Sequence, residues 1–486
     1  MEYAAVTLHT HIATTAGARS PGVRRRALLF ALAAWLLCPA WPAAAAAAAW
    51  RPPIVFVHGD GDSAALWMTT LWRFESNGWP ANRLFAADLP YPHMRDADDR
   101  PQPGRSSSAE HMEFLAAEVE RVRRLTGAKQ VVLMGNSRGG YAIRSYIMDG
   151  GGATRVSHVI LGATPDHGRY AASSSLGSLQ ERTRESNGRG PMLQHLNIPQ
   201  GPNGDEVAPG IRWMTIRSDN NDWAAQPVWL YGPLKGQPTG VSYDSPALRG
   251  AENIVIPGID HCEASYGPQA FGYAYRFITG AAPATLEPIA QARVRLSGKV
   301  FGLGVANDPA TGQFENNLPL GGAQVEVFRV DAASGARVGR ALLSRTIGAD
   351  GVWGPLAIDS RSALEFVIRA PGYASTHVYH APFPRSSRIV HLQARVLTGV
   401  APEVTAVVIM NRPRGFLAVP RDTMSFDGHS PPPGIPTGVA RVHRSVLELT
   451  DSGRARPIVA EFNGERVTGR TWAAHENHLV VLELHQ

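Results

Sequence analysis

The sequence predicts a mainly parallel sheet with helices on both faces, followed by a C-terminal all-β region built as a sandwich or barrel. Three observations carry this. Short β-branched strands alternate with helical stretches between residues 54 and 278, the pattern of a covered parallel sheet. Beyond an Ala/Pro-rich stretch at 281–288 the pattern changes to apolar–polar alternation broken by Gly, Asp and Asn, as in antiparallel sheets. Gly (49) and Pro (37) are plentiful in the 486 residues, which suits a turn-rich β component. That length accommodates two or three domains at about 100–200 residues each.

Residues 1–49 read as a signal peptide. Arg24-Arg25-Arg26 precede an apolar run at 27–38, and the alanine tract at 43–49 offers small-residue cleavage sites. The arginine pair resembles a twin-arginine export signal, with Sec export as the alternative. The apolar run is short and interrupted by Pro39 and Pro42, which argues against a transmembrane anchor. A secreted or periplasmic protein is therefore expected.

Strands are predicted at 54–57, 84–87, 131–134, 156–161, 211–216 and 253–256. A helix is predicted over 108–125, where serine precedes Met112, Leu115, Val119 and Val122 at helical spacing. A helix over 269–278, ended by Thr279-Gly280, closes a first domain at 50–281. Alternating strands at 293–301, 323–330, 364–369 and 376–379 suggest a β domain over 290–396. A second β segment covers 397–486 and is divided by Pro431-Pro432-Pro433-Gly434.

The formal net charge is +6. Arg19, Arg24, Arg25 and Arg26 against Glu2 account for half of it, and no basic run interleaved with aromatics follows, so nucleic acid is not an expected partner. Of the two cysteines, Cys38 lies in the leader and Cys262 stands alone, which leaves no intrachain disulfide after export.

Chemistry concentrates at Gly135-Asn136-Ser137-Arg138-Gly139. This G-x-S-x-G follows an apolar strand, and Gly140-Tyr141-Ala142-Ile143 begins a helix. Such a strand–turn–helix lifts a serine hydroxyl above the sheet edge, and the glycines let strand and helix approach. A serine nucleophile needs a base, and the base needs an orienting carboxylate. The chain order that goes with this motif is serine, acid, histidine. His261, between the last strand and the last helix, is the expected base. His158, inside a strand, and His167, on a nearby loop, read as structural or pocket-lining, and His195 as surface.

For the acid, the strand at 211–216 runs into Arg217-Ser218-Asp219-Asn220-Asn221-Asp222. Asp222 ranks first. Asp219, which suits a loop cap, ranks second, and Asp166, one strand earlier, third. His58-Gly59-Asp60-Gly61 forms a tight turn after the first strand. The backbone N–H groups of Asp60 and Arg138 are the expected oxyanion hole, so neither side chain is required for it.

These residues resemble bacterial secreted lipases and esterases of the α/β-hydrolase superfamily. The likeness runs from about residue 54 to residue 280. It is carried by Val57-His58-Gly59, the pentapeptide at 135–139, Thr164-Pro165-Asp166-His167-Gly168 and Gly258-Ile259-Asp260-His261. The domain plan is also similar to that of an archaeal lipase whose C-terminal β domain helps bind lipid. Tyr379-His380-Ala381-Pro382-Phe383 resembles a Tyr-Arg-Ala-Pro-Phe stretch there. In that relative the acid follows the strand after the nucleophile, where this chain has Ala163, which favours Asp222. Asp60 and Asp62 make the turn more acidic than is usual in lipases, which weighs against long-chain fat.

The resemblance implies a serine carboxylic ester hydrolase, lipase or esterase, working through an acyl-enzyme on an ester or lipid. It implies no cofactor, and His, Cys and Asp do not cluster at zinc-ligand spacings. An extracellular polyester depolymerase would use the same residues. A non-catalytic binding protein is the reading from another class, opposed by the ordered presence of nucleophile, acid, base and oxyanion turn. The insertion at 169–209 is polar and resembles a solvated loop more than a lipid-facing lid. Tyr373, Tyr379 and Phe383 read as β core rather than docking aromatics. Oligomeric state leaves no mark in the sequence.

Overall fold

The computed structural model describes residues 51–171, 182–201, 203–303, 316–451 and 455–486. The expected signal peptide lies outside them. Among the described residues the strands form four sheets.

Strands β1 (Ile54–Val57), β2 (Leu84–Ala86), β3 (Val131–Asn136), β4 (Val156–Gly162), β5 (Arg212–Ser218) and β6 (Glu252–Ile256) make a six-stranded sheet in the order β2-β1-β3-β4-β5-β6. Every pairing is parallel. Helices α1 (Met68–Ser76), α2 (Ser108–Thr126), α3 (Arg138–Met148), α4 (Pro191–Leu196), α5 (Glu263–Tyr266) and α6 (Pro268–Thr279) accompany it. A sheet covered on both faces needs strands that are apolar on both faces, and Ile-Val-Phe-Val of β1 is buried throughout.

Alternate strand residues serve opposite layers. Phe56, Met134 and Ile160 pack with Phe74 of α1 and Phe271 and Phe277 of α6. Val57, Leu133 and Leu161 pack with Leu115, Val119 and Val122 of α2 and Ile143 and Ile147 of α3. Burying each such side chain contributes about 1.5–3 kcal/mol relative to exposure. The start of α2 is a capping box. The Ser107 hydroxyl accepts from the Glu110 N–H, and the Glu110 carboxylate accepts from the Ser107 N–H. Gly127, left-handed at φ 68°, ends the helix.

The β half contains β7 (Arg293–Leu303), β8 (Gln324–Val330), β9 (Leu343–Thr346), β10 (Val352–Asp359), β11 (Ala363–Arg369), β12 (Ser375–His380), β13 (Leu392–Arg395), β14 (Ala406–Asn411), β15 (Met424–Phe426), β16 (Arg444–Leu449), β17 (Pro457–Phe462), β18 (Glu465–Arg470) and β19 (His478–Glu483). A seven-stranded sheet, β16-β14-β19-β12-β11-β8-β9, is packed on one face by β10-β7-β13 and on the other by β15-β17-β18. The period of two explains the layering. Val325, Phe366 and Val481 meet Leu296, Trp353 and Leu392. Tyr379, Val480 and Leu482 meet Phe426, Ala460 and Phe462.

The all-β region is thus a stacked sandwich. Its large sheet draws strands from both 290–396 and 397–486, and β19 pairs parallel with β12 and β14. Tyr379 and Phe383 are core residues. The β half is joined to the parallel sheet through α1, where Trp72 packs edge-on against Phe383 and its Nε1 donates to the Ser386 carbonyl at 3.0 Å.

Candidate active site

Ser137 joins β3 to α3 with φ 50° and ψ −122°. That region is strained for any residue bearing a Cβ. Glycines make the turn passable. A Cβ on Gly139 would stand 2.4 Å from the Val57 carbonyl oxygen, and one on Gly135 would stand 3.0 Å from the Gly140 nitrogen. The strain is held from outside. The Ser137 N–H donates to the Gly162 carbonyl at 2.9 Å, and Thr164 Oγ1 donates to the Ser137 carbonyl at 3.0 Å.

Loops at the carboxyl ends of β1, β3, β5 and β6 converge around this serine. His261 Nδ1 donates to Asp222 Oδ1 at 2.7 Å, with both side chains buried. Asp222 Oδ1 also accepts from the Ala224 N–H at 2.8 Å. Ser137, His261, Asp60 and Arg138 line one cavity of about 100 Å³, together with Trp223 and Phe416. The turn after β1 runs beside the serine, since a Cβ on Gly59 would lie 3.1 Å from Ser137 Cβ. His58 fastens that turn. The Leu89 N–H donates to its Nε2 at 3.1 Å, which leaves the protonated Nδ1 to donate to the Gly59 carbonyl at 2.9 Å. Burial lowers the His58 pKa and keeps this neutral form.

The other two aspartates have different partners. Asp219 Oδ1 accepts from the N–H groups of Gly258 at 2.9 Å and Asn220 at 2.8 Å, so it caps its loop. Asp166 is buried against Arg144 at 3.1 Å. Burial pushes its carboxyl up to about 7, although Arg144 pulls the other way. His167 pairs with Glu206 at 3.1 Å, and exposed His195 pairs with Asp149 at 3.0 Å. Among the described residues no cluster of His, Cys, Asp and Glu is arranged to hold a metal ion.

Several contributors leave no local signal in the sequence. The Arg138 guanidinium is buried. Its Nε and Nη2 reach Glu185 at 2.8 and 2.5 Å, and its Nη1 donates to the Pro92 carbonyl at 2.9 Å. Glu185 belongs to the insertion expected to be a solvated loop. The described part of that insertion is instead packed down, with Leu193 and Leu196 of α4 against Tyr141. Residues 172–181 and 202 of it lie outside the described residues. Asn136 Nδ2 donates to Ser265 Oγ at 2.8 Å and contacts the His261 carbonyl at 3.3 Å.

The β half also reaches the site. Arg412 Nη1 donates to Asp260 Oδ2 at 2.8 Å, and the Phe416 N–H donates to the same oxygen at 2.8 Å. Burial works to raise the Asp260 pKa, but Arg412 and Arg421 hold it below the usual carboxylate range. Asn221, beside Asp222, accepts from the Ala440 N–H at 2.9 Å and donates to the Gly258 carbonyl at 2.9 Å. Asn317 Nδ2 donates to the carbonyls of Asp62 at 2.8 Å and Leu89 at 2.9 Å, supporting the turn after β1.

Residues 52–204 match the α/β hydrolase fold family, and residues 292–396 match the lipase C-terminal domain family. Among solved structures the chain is similar to Aspergillus fumigatus lipase B, at 17% identity and TM-score 0.33 over 49% of this chain and 54% of that one. It is similar to mature Bacillus licheniformis lipase BlEst2, at 21% identity and TM-score 0.34 over 47% and 92%. It is also similar to Bacillus subtilis carboxylesterase CesB, at 13% identity and TM-score 0.26 over 48% and 85%. The chain spans about half the length of the Aspergillus protein. No curated protein matches it. No helix among the described residues is long and apolar enough to cross a membrane. The two families are matched in order along one chain, so the protein joins an α/β-hydrolase fold to a C-terminal β region that matches the lipase C-terminal domain family.

Proposed function

We propose that the protein is a serine carboxylic ester hydrolase in which Ser137 is the nucleophile, His261 the base and Asp222 the acid. The observation that carries this is the buried 2.7 Å contact between His261 Nδ1 and Asp222 Oδ1, beside a strained Ser137 that shares a cavity with His261. With Nδ1–H committed to Asp222, Nε2 is the free acceptor. It takes the Ser137 proton as Oγ attacks the ester carbonyl carbon. The backbone N–H groups of Asp60 and Arg138 receive the developing oxyanion, each worth about 3–4 kcal/mol of transition-state stabilisation. Nε2–H then protonates the departing alcohol, leaving an acyl-serine. A water deprotonated by His261 attacks that carbonyl, and collapse releases the acid and restores the serine.

The catalytic domain of this proposal spans 50–281, and the β regions at 290–396 and 397–486 position its loops. Residues 1–49 direct export, and the substrate is an extracellular ester, lipid or polyester. The test is hydrolysis of 4-nitrophenyl esters of increasing acyl length by the protein and by Ser137→Ala. Hydrolysis abolished in the variant is expected, and the preferred length separates esterase from lipase. A folded protein inactive on every ester, or an active variant, would favour a binding protein.

A further inference from the structure

The cavity holding Ser137 is lined by groups of both charges, among them Asp60, Asp62 and Arg169. Asp60 is already engaged, accepting from the Met94 N–H at 2.6 Å and facing His93 at 3.8 Å. The Arg169 guanidinium lies over the Trp223 ring, 4.3 Å from its centre, and Trp223 stands 5.5 Å from the His261 ring. Among the described residues Arg169 has no carboxylate or hydrogen-bond acceptor for its guanidinium. Its charged neighbours include Arg184, which repels it, and Asp60.

A second arginine lies near the same tryptophan. Exposed Arg441 lies 4.2 Å from the centre of the Tyr231 ring and 5.6 Å from that of Trp223, and it too has no carboxylate partner among the described residues. Arg169, Trp223, Tyr231 and Arg441 line a cleft of about 320 Å³. Arg169 and Trp223 also line the cavity of Ser137, so the cleft adjoins it. A half-buried guanidinium whose donors meet no acceptor keeps them available to a ligand. A planar fork of donors at such a place matches a carboxylate bidentately.

We propose that the Arg169–Trp223–Arg441 cleft binds a carboxylate of the substrate, so that the preferred substrates are small esters carrying a negative charge on the part lying in this cleft. This rests on the ester hydrolase reading. The carboxylate pairs with Arg169, and the carbon chain or ring behind it lies against Trp223 and Tyr231.

The experiment is calorimetric titration of Ser137→Ala with mono-4-nitrophenyl glutarate and with neutral 4-nitrophenyl butyrate. Binding is read without turnover, so the result stands even if hydrolysis fails. The anionic ester is expected to bind about tenfold more tightly, with an advantage that shrinks as salt is added. Adding Arg169→Gln should bring the ratio near one, while Arg169→Lys keeps part of it. Arg441→Gln, at an exposed position, should lower the ratio without threatening the fold. Equal binding of the two esters, or an unchanged ratio in both glutamine variants, overturns the inference. Turnover of both esters by the unsubstituted protein tests the hydrolase reading separately. Its absence alongside an intact anion preference would sink that reading alone.

Discussion

Arg412 donates to Asp260 at 2.8 Å across 152 positions of the chain, and Asp260 immediately precedes His261. The same guanidinium reaches Glu263 at 2.7 Å and the Tyr266 hydroxyl at 2.8 Å, so it grips the loop on both sides of the histidine. The β half therefore takes part in placing the loop of His261. Arg412→Met leaves Asp260 buried without its main counter-charge, at a cost of about 3–5 kcal/mol. Below the lowered melting temperature, kcat should fall about tenfold or more with a smaller change in KM, because the base is displaced and the cleft is not. Arg412→Lys should recover part of the stability. Thermal unfolding and steady-state kinetics read both effects, and unaltered kcat in Arg412→Met would free the base from any dependence on the β half.

The strain at Ser137 predicts an order of stabilities. Alanine keeps the Cβ and therefore the strain, whereas glycine removes both at a small entropic cost. Both variants should be inactive. Ser137→Gly should be more stable than Ser137→Ala by about 1 kcal/mol. Urea midpoints decide this, and an equal or lower midpoint for the glycine variant would remove strain from the account.

The three aspartates should separate kinetically. An amide at 222 turns an N–H toward His261 Nδ1 and enforces the wrong tautomer, so Asp222→Asn should lower kcat by about ten-thousandfold. Asp219→Asn removes loop caps and should cost about 1 kcal/mol of stability with a few-fold loss of rate. Asp166→Asn should leave kcat within a few-fold. If Asp166→Asn falls as far as Asp222→Asn, the acid has been misassigned.

Acid should destabilise the fold well before carboxylates are exhausted. His380 is buried, and burial lowers its pKa to about 3 even though Glu483 stands 3.6 Å away. The largely buried His443 is lowered to about 4. Unfolded, both titrate near 6.5, so between these values the unfolded chain binds more protons. Their contribution is full above about pH 6.5 and is lost as pH falls, at about 1.4 kcal/mol per pH unit for each histidine. Asp166 opposes them. Its folded pKa of about 7 lies above 3.8, so its contribution is full below 3.8 and lost as pH rises toward 7. Two histidines against one aspartate leave a net loss on acidification from pH 6.5 to 4. His380→Leu should flatten the slope of denaturant midpoint against pH, and an unchanged slope would show that His380 takes up its proton as readily in the fold as in the unfolded chain.

What was legible in the sequence follows from how local its causes are. The helix expected at 108–125 occurs as Ser108–Thr126 because its start at Ser107 and Glu110 and its stop at Gly127 lie within the segment itself. Strands apolar on both faces were readable for the same reason, as was the turn at Ser137, whose strand and glycines are contiguous. Asp219 and Asp222 lie on one loop and differ in partners that only β6 and its loop supply, so sequence could rank them and no more. The insertion at 169–209 reads as solvated because composition cannot tell a solvated carboxylate from one facing Arg138, as Glu185 does. The grip of Arg412 on Asp260 depends on packing between distant segments, and periodicity carries no trace of it.

The position of β19 bears on how the molecule comes into being. This strand lies between β12 and β14 in the seven-stranded sheet, yet the ribosome makes both neighbours first. Until residues 478–483 emerge, β12 and β14 each offer an open edge lined with apolar side chains, a template for pairing with other chains. Arg412 follows β14, and its Nε donates to the Gln486 carbonyl at 3.2 Å. The seven-stranded sheet is therefore completed only when the last of its strands has been made.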